Sequence, residues 1–360
     1  MARFIAFYLP QFHPTPENNE WWGEGFTEWV NVAKARPLFR GHKQPHIPKD
    51  LGFYDLRLPE VREAQVELAK EAGIEAFCYW HYWFGNGKRL LERPFNEVLA
   101  SGKPDFPFCL AWANHSWKKK RWEPKAPGKD KLLMEQTYPG IEDYILHFNT
   151  MLPAFKDSRY LKVNGKLFFI IYDPLATDEI KVFIETWRRL AKENNLNDFY
   201  FVATDFECRN KAKILSLGFD AVYSNDTYNV HHHLNIIQKV FLYVKRKYFK
   251  FPTVFKYKDA IRYMVMDCCK DRDVIPSIAP NWDHSPRSAA KGIILHDSTP
   301  ELFKKIAQRA INIVKNKPEE EQIIIVKSWN EWGEGNYMEP DLEFGKGYIH
   351  ALREAIEESK

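Results

Sequence analysis

The chain has 360 residues, 45% of them hydrophobic, and sets 52 basic against 48 acidic residues for a net charge of +4. That supplies apolar material for one large core, and so even a balance makes no general case for nucleic acid while leaving anionic and neutral ligands open. No run approaches the ~18–20 uninterrupted apolar residues of a membrane span, and the opening "MARFIAFYLPQFHP" enters a strand pattern with too short an apolar run for a signal peptide. Short apolar runs then alternate with amphipathic ones. A strand at 3–9 (RFIAFYL) is followed, after a long loop, by a helix at 58–73 and a strand at 75–83 (EAFCYWHYW). Strands at 106–113 (FPFCLAWA) and 166–173 (KLFFIIYD) flank a helix at 141–157, and a helix at 177–195 leads to a strand at 199–205 (FYFVATD). Strands at 221–225, 274–282 and 322–329 alternate with helices at 211–218, 257–269 and 300–317, and a helix at 346–359 closes the series.

The helix edges are chemically sensible. Pro59 and acidic residues open the 58–73 helix and Gly73 stops it, while Thr299 caps the 300–317 helix with Pro300 at its first position. Strands alternating with helices imply parallel strands joined by right-handed crossovers. Eight of them predict a closed (β/α)8 barrel spanning residues 1–360 as one domain, with a basic amphipathic insertion at 231–256. An open doubly wound sheet is the alternative, but neither a GxGxxG turn nor a GxxxxGK[ST] loop is present.

A barrel demands that functional groups gather at the C-terminal ends of its strands. Those ends carry Tyr8, Gln11 and His13; Trp80, His81, Tyr82 and Trp83; Trp112, Asn114 and His115; Tyr172 and Asp173; Thr204 and Asp205; Asn225 and Asp226; Trp282, Asp283 and His284; and Trp329, Asn330 and Glu331. Taken singly, each is as readily a satisfied core residue. All eight ends being polar or aromatic favours an enzyme. The expected substrate contacts are Tyr8, Gln11, His13, His81, Tyr82, Trp112, Asn114, Tyr172, Asp173, Trp282, Asp283, Trp329 and Asn330. The substrate class follows from the aromatic share: 12 Trp, 17 Tyr and 26 Phe make 15% of the chain, and sugars stack their C–H faces on such rings, although aromatic cores have the same composition.

The catalytic candidates are Glu331 and Glu334, in "VKSWNEWGEGNYMEPD". In a helical turn this spacing puts both side chains on one face. Glycosidic cleavage commonly uses two carboxyls, one protonated and one ionised, and two close carboxyls help to produce that split. Gly333 and Gly335 allow a close approach or an unusual backbone angle. The alternative is a loop whose acids cap the following helix or meet barrel arginines. The "NE" of Asn330–Glu331 follows the eighth strand, so the fourth-strand "NE" of a large group of barrel glycosidases is no guide to it.

The stretches "IAFYLPQFHP", "NEWWGEGFTEW", "GFYDLRLPEVREAQ", "YWHYWF", "RLLERPFNEVL", "WDHSPR" and "WNEWGEGNYMEPD" resemble the WbsX-like proteins of bacterial surface-polysaccharide clusters. That group is similar to glycoside hydrolase family 99, and the resemblance runs from Arg3 nearly to the C-terminus. It implies a metal-independent, retaining (β/α)8 enzyme acting on α-mannoside-like bonds, with no cofactor. On the W-N-E-W-x-E match it implies that Glu331 deprotonates the sugar 2-hydroxyl, whose oxygen displaces the leaving group through a 1,2-anhydro sugar. Glu334 would protonate the departing oxygen and later activate water. Two positions depart from the family pattern: His115 stands where the third-strand segment usually has Glu, and His284 where the seventh-strand motif usually has Asn. Both place an imidazole at the sugar-facing rim, with consequences for substrate, pH dependence or activity.

Cys78, Cys109, Cys208, Cys268 and Cys269 are odd in number and lack CxxC spacing, which predicts reduced thiols in a cytoplasmic protein. The contiguous His231–His233 lacks the spacing of a structural metal site. Residues 234–250 read as an amphipathic helix with Ile236, Ile237, Val240, Phe241 and Val244 on one face. Either this face packs on the barrel, or it meets an anionic membrane peripherally, at the inner membrane. Lys118–Arg121 reads as a solvated loop. The partner expected is an oligosaccharide or polysaccharide, with no nucleic acid, and the oligomeric state is not readable. A glycosyltransferase or transglycosylase of surface-glycan assembly, and a noncatalytic glycan-binding scaffold, are the rival readings.

Overall fold

The computed structural model describes residues 1–119, 131–227 and 229–360. Eight parallel strands close into a barrel: β1 (Arg3–Tyr8), β2 (Ile74–Trp83), β3 (Phe108–Trp112), β4 (Lys166–Ile171), β5 (Phe199–Asp205), β6 (Ala221–Ser224), β7 (Val274–Ile278) and β8 (Ile323–Val326). Strand β8 pairs with β1 in register Arg3 to Ile323 through Ala6 to Val326, and β1 pairs with β2, which completes the ring. The strands are apolar on both faces because the barrel interior covers one and the helices cover the other. All four residues of β8 are accordingly buried.

Among the described residues the twelve α-helices are α1 (Pro16–Trp22), α2 (Glu28–Lys34), α3 (Pro59–Ala72), α4 (Arg93–Ser101), α5 (Ile141–Lys156), α6 (Ile180–Glu193), α7 (Lys211–Ser216), α8 (Ile236–Phe249), α9 (Tyr257–Met264), α10 (Ser285–Ser288), α11 (Pro300–Val314) and α12 (Gly347–Glu357). Helix α12 packs between α3 and α11, so the outer layer closes as the sheet does. Gly73 ends α3 in the left-handed conformation, with φ of 84°, and Thr299 caps α11 by accepting from Leu302 N.

Four expectations change. Helices α1, α2 and α4 were not anticipated from apolar periodicity, since α1 buries only Asn18; α1 and α2 are instead started by Thr15 and Thr27 side-chain caps. The seventh strand stops at Ile278 rather than running to 282. Trp282–Asp283 instead pairs antiparallel with Ile293–His296, which also pairs with Thr253–Lys256 in a separate three-stranded sheet. The cysteines are not all reduced: Cys208 and Cys268 form a disulfide, while Cys78, Cys109 and Cys269 are free and buried. The two partners are 60 residues apart, a separation no local spacing rule detects. Finally, α8 does not pack its apolar face on the barrel, for none of its residues is buried. Among the described residues no helix is long and apolar enough to cross a membrane. Lys120 and Arg121 lie outside the described residues.

Candidate active site

A cleft of about 920 Å³ opens at the C-terminal end of the barrel, with Glu331 and Glu334 in its wall. The chain reaches it from β8. Asn330–Glu331 forms a two-residue strand pairing with Asn336–Tyr337, and Trp332–Glu334 makes a 3-10 turn between them. Gly335 completes the turn at φ of 53°, where an added Cβ would lie 2.7 Å from Asp283 Cβ. A Cβ on Gly333 would collide with the carboxylate of Glu28. The close approach that Gly333 permits is therefore to a protein side chain.

That side chain belongs to a charged triad. Glu28, in the first turn of α2, accepts from Arg287 Nε at 3.0 Å, and Arg287 Nη1 donates to Glu334 Oε1 at 2.6 Å. His284 Nε2 stands 3.6 Å from the same Glu334 oxygen, and its Nδ1 lies 2.5 Å from Ser288 Oγ. Glu331 has a different setting: it is 6% exposed and its Oε2 accepts from Ser328 Oγ at 2.9 Å. The alternative in which the acids meet barrel arginines thus holds for Glu334, while among the described residues Glu331 has no arginine hydrogen-bonded to it.

The two carboxyls are driven apart in proton affinity. Burial, then the neighbouring Glu334 charge, pushes Glu331 up to about 7, against the opposing pull of Arg287, Lys327 and Ser328. Burial acts on Glu334 too, but the Arg287 guanidinium and then His284 outweigh it and hold the carboxyl well below the usual range. Of the two, Glu334 is the first to ionise and Glu331 the one that holds a proton toward neutral pH. The roles implied by the family 99 resemblance put the transferable proton on Glu334, which requires Arg287 to release it.

Of the thirteen expected substrate contacts, Gln11, Tyr82, Asn114, Tyr172 and Asp173 line the cleft. The other eight do not. Tyr8 donates to Gln65 on α3, His81 meets His147 on α5 at 2.7 Å, and Trp112 donates to the Trp83 carbonyl. His13 and Trp329 are buried, and Trp282 lies beneath Lys327, whose Nζ is 4.9 Å from its ring centre. Asn330 accepts from Leu9 N at 2.7 Å and donates to Leu9 O at 3.1 Å, fastening the end of β8 to the end of β1. Asp283 accepts from His42, Gln44 and Ser285 N, and those bonds, outweighing its burial, keep it ionised. For Tyr8, His81 and Trp112, which lie on barrel strands, the physical reason is strand parity: successive side chains point alternately into the barrel and out to the helices. Trp80 and Tyr82 face the cleft, and His81 between them faces α5.

Glu28, Arg287, Lys327, Trp22, Trp80 and Trp117 line the cleft but were not among the expected contacts. His115 and His284, the two departures from the family pattern, both reach it. Burial lowers the proton affinity of His115. Among the described residues no three His, Cys, Asp or Glu side chains are grouped as metal ligands; His233 stacks on Tyr263 at 4.1 Å instead.

Comparison with known proteins agrees with this architecture. Two proteins of Xanthomonas campestris pv. campestris strains, each named "Uncharacterized protein WxcX", are 34% identical over 364 aligned positions that take in 99% of this chain. The chain spans 50% of the length of each. Among solved structures, a "Glycoside hydrolase-like protein" superposes with a TM-score of 0.64 at 15% identity, covering 98% of this chain and 93% of its own. The GH99 endo-alpha-mannosidase from Bacteroides thetaiotaomicron superposes at 0.56, also at 15% identity, covering 99% and 97%. These likenesses are of fold. The family model described as "Glycosyltransferase WbsX" matches residues 4–352. The chain belongs to the WbsX family.

Proposed function

We propose that the chain is a carbohydrate-active enzyme that works at α-glycosidic, mannoside-like bonds of a surface polysaccharide or its precursors, with Glu331 and Glu334 as its reacting pair. One observation carries the reading: two carboxyls converge on the wall of a barrel-end cleft with their proton affinities split by Arg287. Trp22, Trp80, Tyr82, Trp117 and Tyr172 offer rings in the same cleft, a surface suited to sugar C–H faces.

The pair supports a retaining cleavage in which Glu331 exchanges a proton with the sugar. As a base with an affinity near neutrality, it takes the proton of the 2-hydroxyl, whose oxygen attacks the anomeric carbon as the bond to the leaving oxygen breaks. The leaving oxygen takes a proton from Glu334, which Arg287 must first release. Water, deprotonated by Glu334, then opens the 1,2-anhydro ring, and Glu331 returns the proton to the 2-oxygen. The resting charges, which are the reverse of what that assignment starts from, fit directly a second assignment of the same pair, with Glu331 protonating the leaving oxygen and Glu334 attacking as the carboxylate.

Hydrolysis of a panel of α-linked manno- and gluco-oligosaccharides and aryl glycosides tests both. Replacing either residue with Gln should lower turnover of unactivated substrates by at least about a hundredfold. An aryl glycoside needs no proton on its leaving group, so the variant that keeps activity on it has lost the acid. Full activity in both folded variants removes the pair from the mechanism.

The family description favours a second reading, glycosyl transfer, in which a sugar hydroxyl replaces water. Lys34, Arg287 and Lys327 in the cleft suit a departing phosphate or diphosphate. Product formation only with nucleotide-sugar or lipid-diphosphate donors would decide for transfer, and saccharide binding with turnover of neither class would decide for a scaffold.

A further inference from the structure

Helix α8 buries none of its fourteen residues. At the helical period, Ile236, Ile237, Val240, Phe241, Val244 and Tyr248 form one stripe of about 140°, and their exposures run from 36% for Val244 to 76% for Ile237. Leu242, on the opposite side, is the α8 residue that packs against the core. The stripe therefore points away from the barrel. The helix does not need the stripe's burial to start, because Asn235 and Gln238 form a reciprocal capping box.

Charge narrows what covers the stripe. Between Asp226 and Asp259 the sequence has seven Lys or Arg and no Asp or Glu, against near balance over the whole chain. Lys239 and Arg246 border the stripe on one side and Lys245 on the other. Lys245 Nζ lies 4.4 Å from the Phe241 ring centre, and Lys247, which falls within the arc of the stripe, has its Nζ 5.3 Å from that of Tyr243, so both ammonium groups sit over exposed aromatic rings. A second copy of the chain is a poor occupant. A two-fold contact would set like charges against like, five from each α8 segment at Lys239, Lys245, Arg246, Lys247 and Lys250.

An apolar stripe with aromatic and basic borders matches the interface of an anionic bilayer. We propose that α8 docks this chain peripherally on an anionic membrane, stripe inward and basic flanks on the headgroups. The helix lies between β6 and α9, hence in a loop of the barrel's C-terminal end, where the cleft opens. Phe251, just past it, packs 5.4 Å from Phe39, whose ring stacks on His42, the partner of Asp283. Docking would thus bring the cleft's end of the barrel to the lipid surface. The docking itself does not depend on the glycan reading.

The test is cosedimentation of the full chain with phosphatidylcholine vesicles, with and without phosphatidylglycerol. Binding is expected only with phosphatidylglycerol present and should weaken as salt is raised. The Ile237→Glu/Phe241→Glu double variant should lose binding by about a hundredfold or more, and a Lys245→Ser/Arg246→Ser/Lys247→Ser variant by about tenfold or more. Both should match the parent in circular dichroism and thermal melting, because the changed side chains are not buried. No binding by the parent to anionic vesicles overturns the proposal, as does undiminished binding by the folded double variant. A dimer that the double variant converts to monomer, without vesicle binding by the parent, gives the stripe to a second copy instead.

Discussion

Arg287 Nη1 lies 2.6 Å from Glu334 Oε1 while its Nε lies 3.0 Å from Glu28 Oε2, so one guanidinium bridges a carboxylate of the last βα loop to one of the first. Glu28 is 4% exposed, and neither acid has an equally close alternative cation in the triad. Arg287 holds Glu334 in place and lowers its proton affinity, which on the proposed reading makes it a positioning residue.

Arg287→Met should therefore change more than affinity. Without the cation the buried Glu28 and Glu334 repel each other, and breaking such a pair from one side costs about 3–5 kcal/mol. The same loss raises the proton affinity of Glu334 and moves the acidic limb of the pH–rate profile to higher pH. A profile of kcat/KM with its acidic limb unmoved, in a folded variant, would remove Arg287 from control of the pair.

Glu331 sets a stability dependence of the opposite kind. Its folded affinity is raised to about 7, by burial first, so its contribution is fully present below the unfolded value near 4.5 and is lost as pH rises through 7. Glu339, raised to about 7 by burial, acts in the same direction. Asp226, also raised to about 7 by burial, adds a further loss, and Glu331→Gln removes one of these losses. Relative to the parent it should gain on the order of 2–4 kcal/mol at pH 8 compared with pH 4. Urea denaturation at both pH values measures this, and an equal parent–variant difference at the two would contradict it.

Gly333→Ala tests the triad from the backbone. The new methyl group meets the Glu28 carboxylate, and forcing it aside should cost about 1–3 kcal/mol. Loss of the Glu28 bond to Arg287 is expected to lower kcat by tenfold or more, on the scale of about 1.4 kcal/mol per decade. Gly333→Ala with parental kcat would show that Glu28 has no bearing on Arg287.

Asn330→Ala tests the clamp between barrel ends. It leaves the Leu9 N–H and C=O without their partner in a buried setting, at about 1–3 kcal/mol for each group. A melting temperature unchanged from the parent would mean that Leu9 finds other partners.

The barrel was legible because its eight strands are runs of apolar residues bounded by turns, and burial on both faces leaves little else for "QIIIV" or "KLFFII" to do. The site was legible only in part. Glu331 and Glu334 stood out through their spacing beside tryptophans, yet Trp329 and Trp332 are core residues, and Glu339 accepts from Trp332, Gln65 and Tyr54 rather than facing ligand. His81 and Trp112 were expected at the rim because they end strands; parity sends both outward to the helices. That signal was available, since Trp80 and Tyr82 flank His81. Glu28 and Arg287 carried no local mark, for their chemistry exists only where residues 259 positions apart meet. The Cys208–Cys268 bond was hidden for the same reason.

The Asn330–Leu9 clamp has a consequence for how the protein is made. It ties residues 321 positions apart, and β8, which pairs with β1, is the last of the eight barrel strands to be synthesised. The carboxyl pair stands on the segment that this clamp secures, so a ribosome-bound chain lacking residues beyond about 322 has most of a barrel and neither Glu331 nor Glu334. On the proposed reading of the pair, catalytic competence would arrive only with the final stave, and an interrupted synthesis would leave no half-active fragment behind.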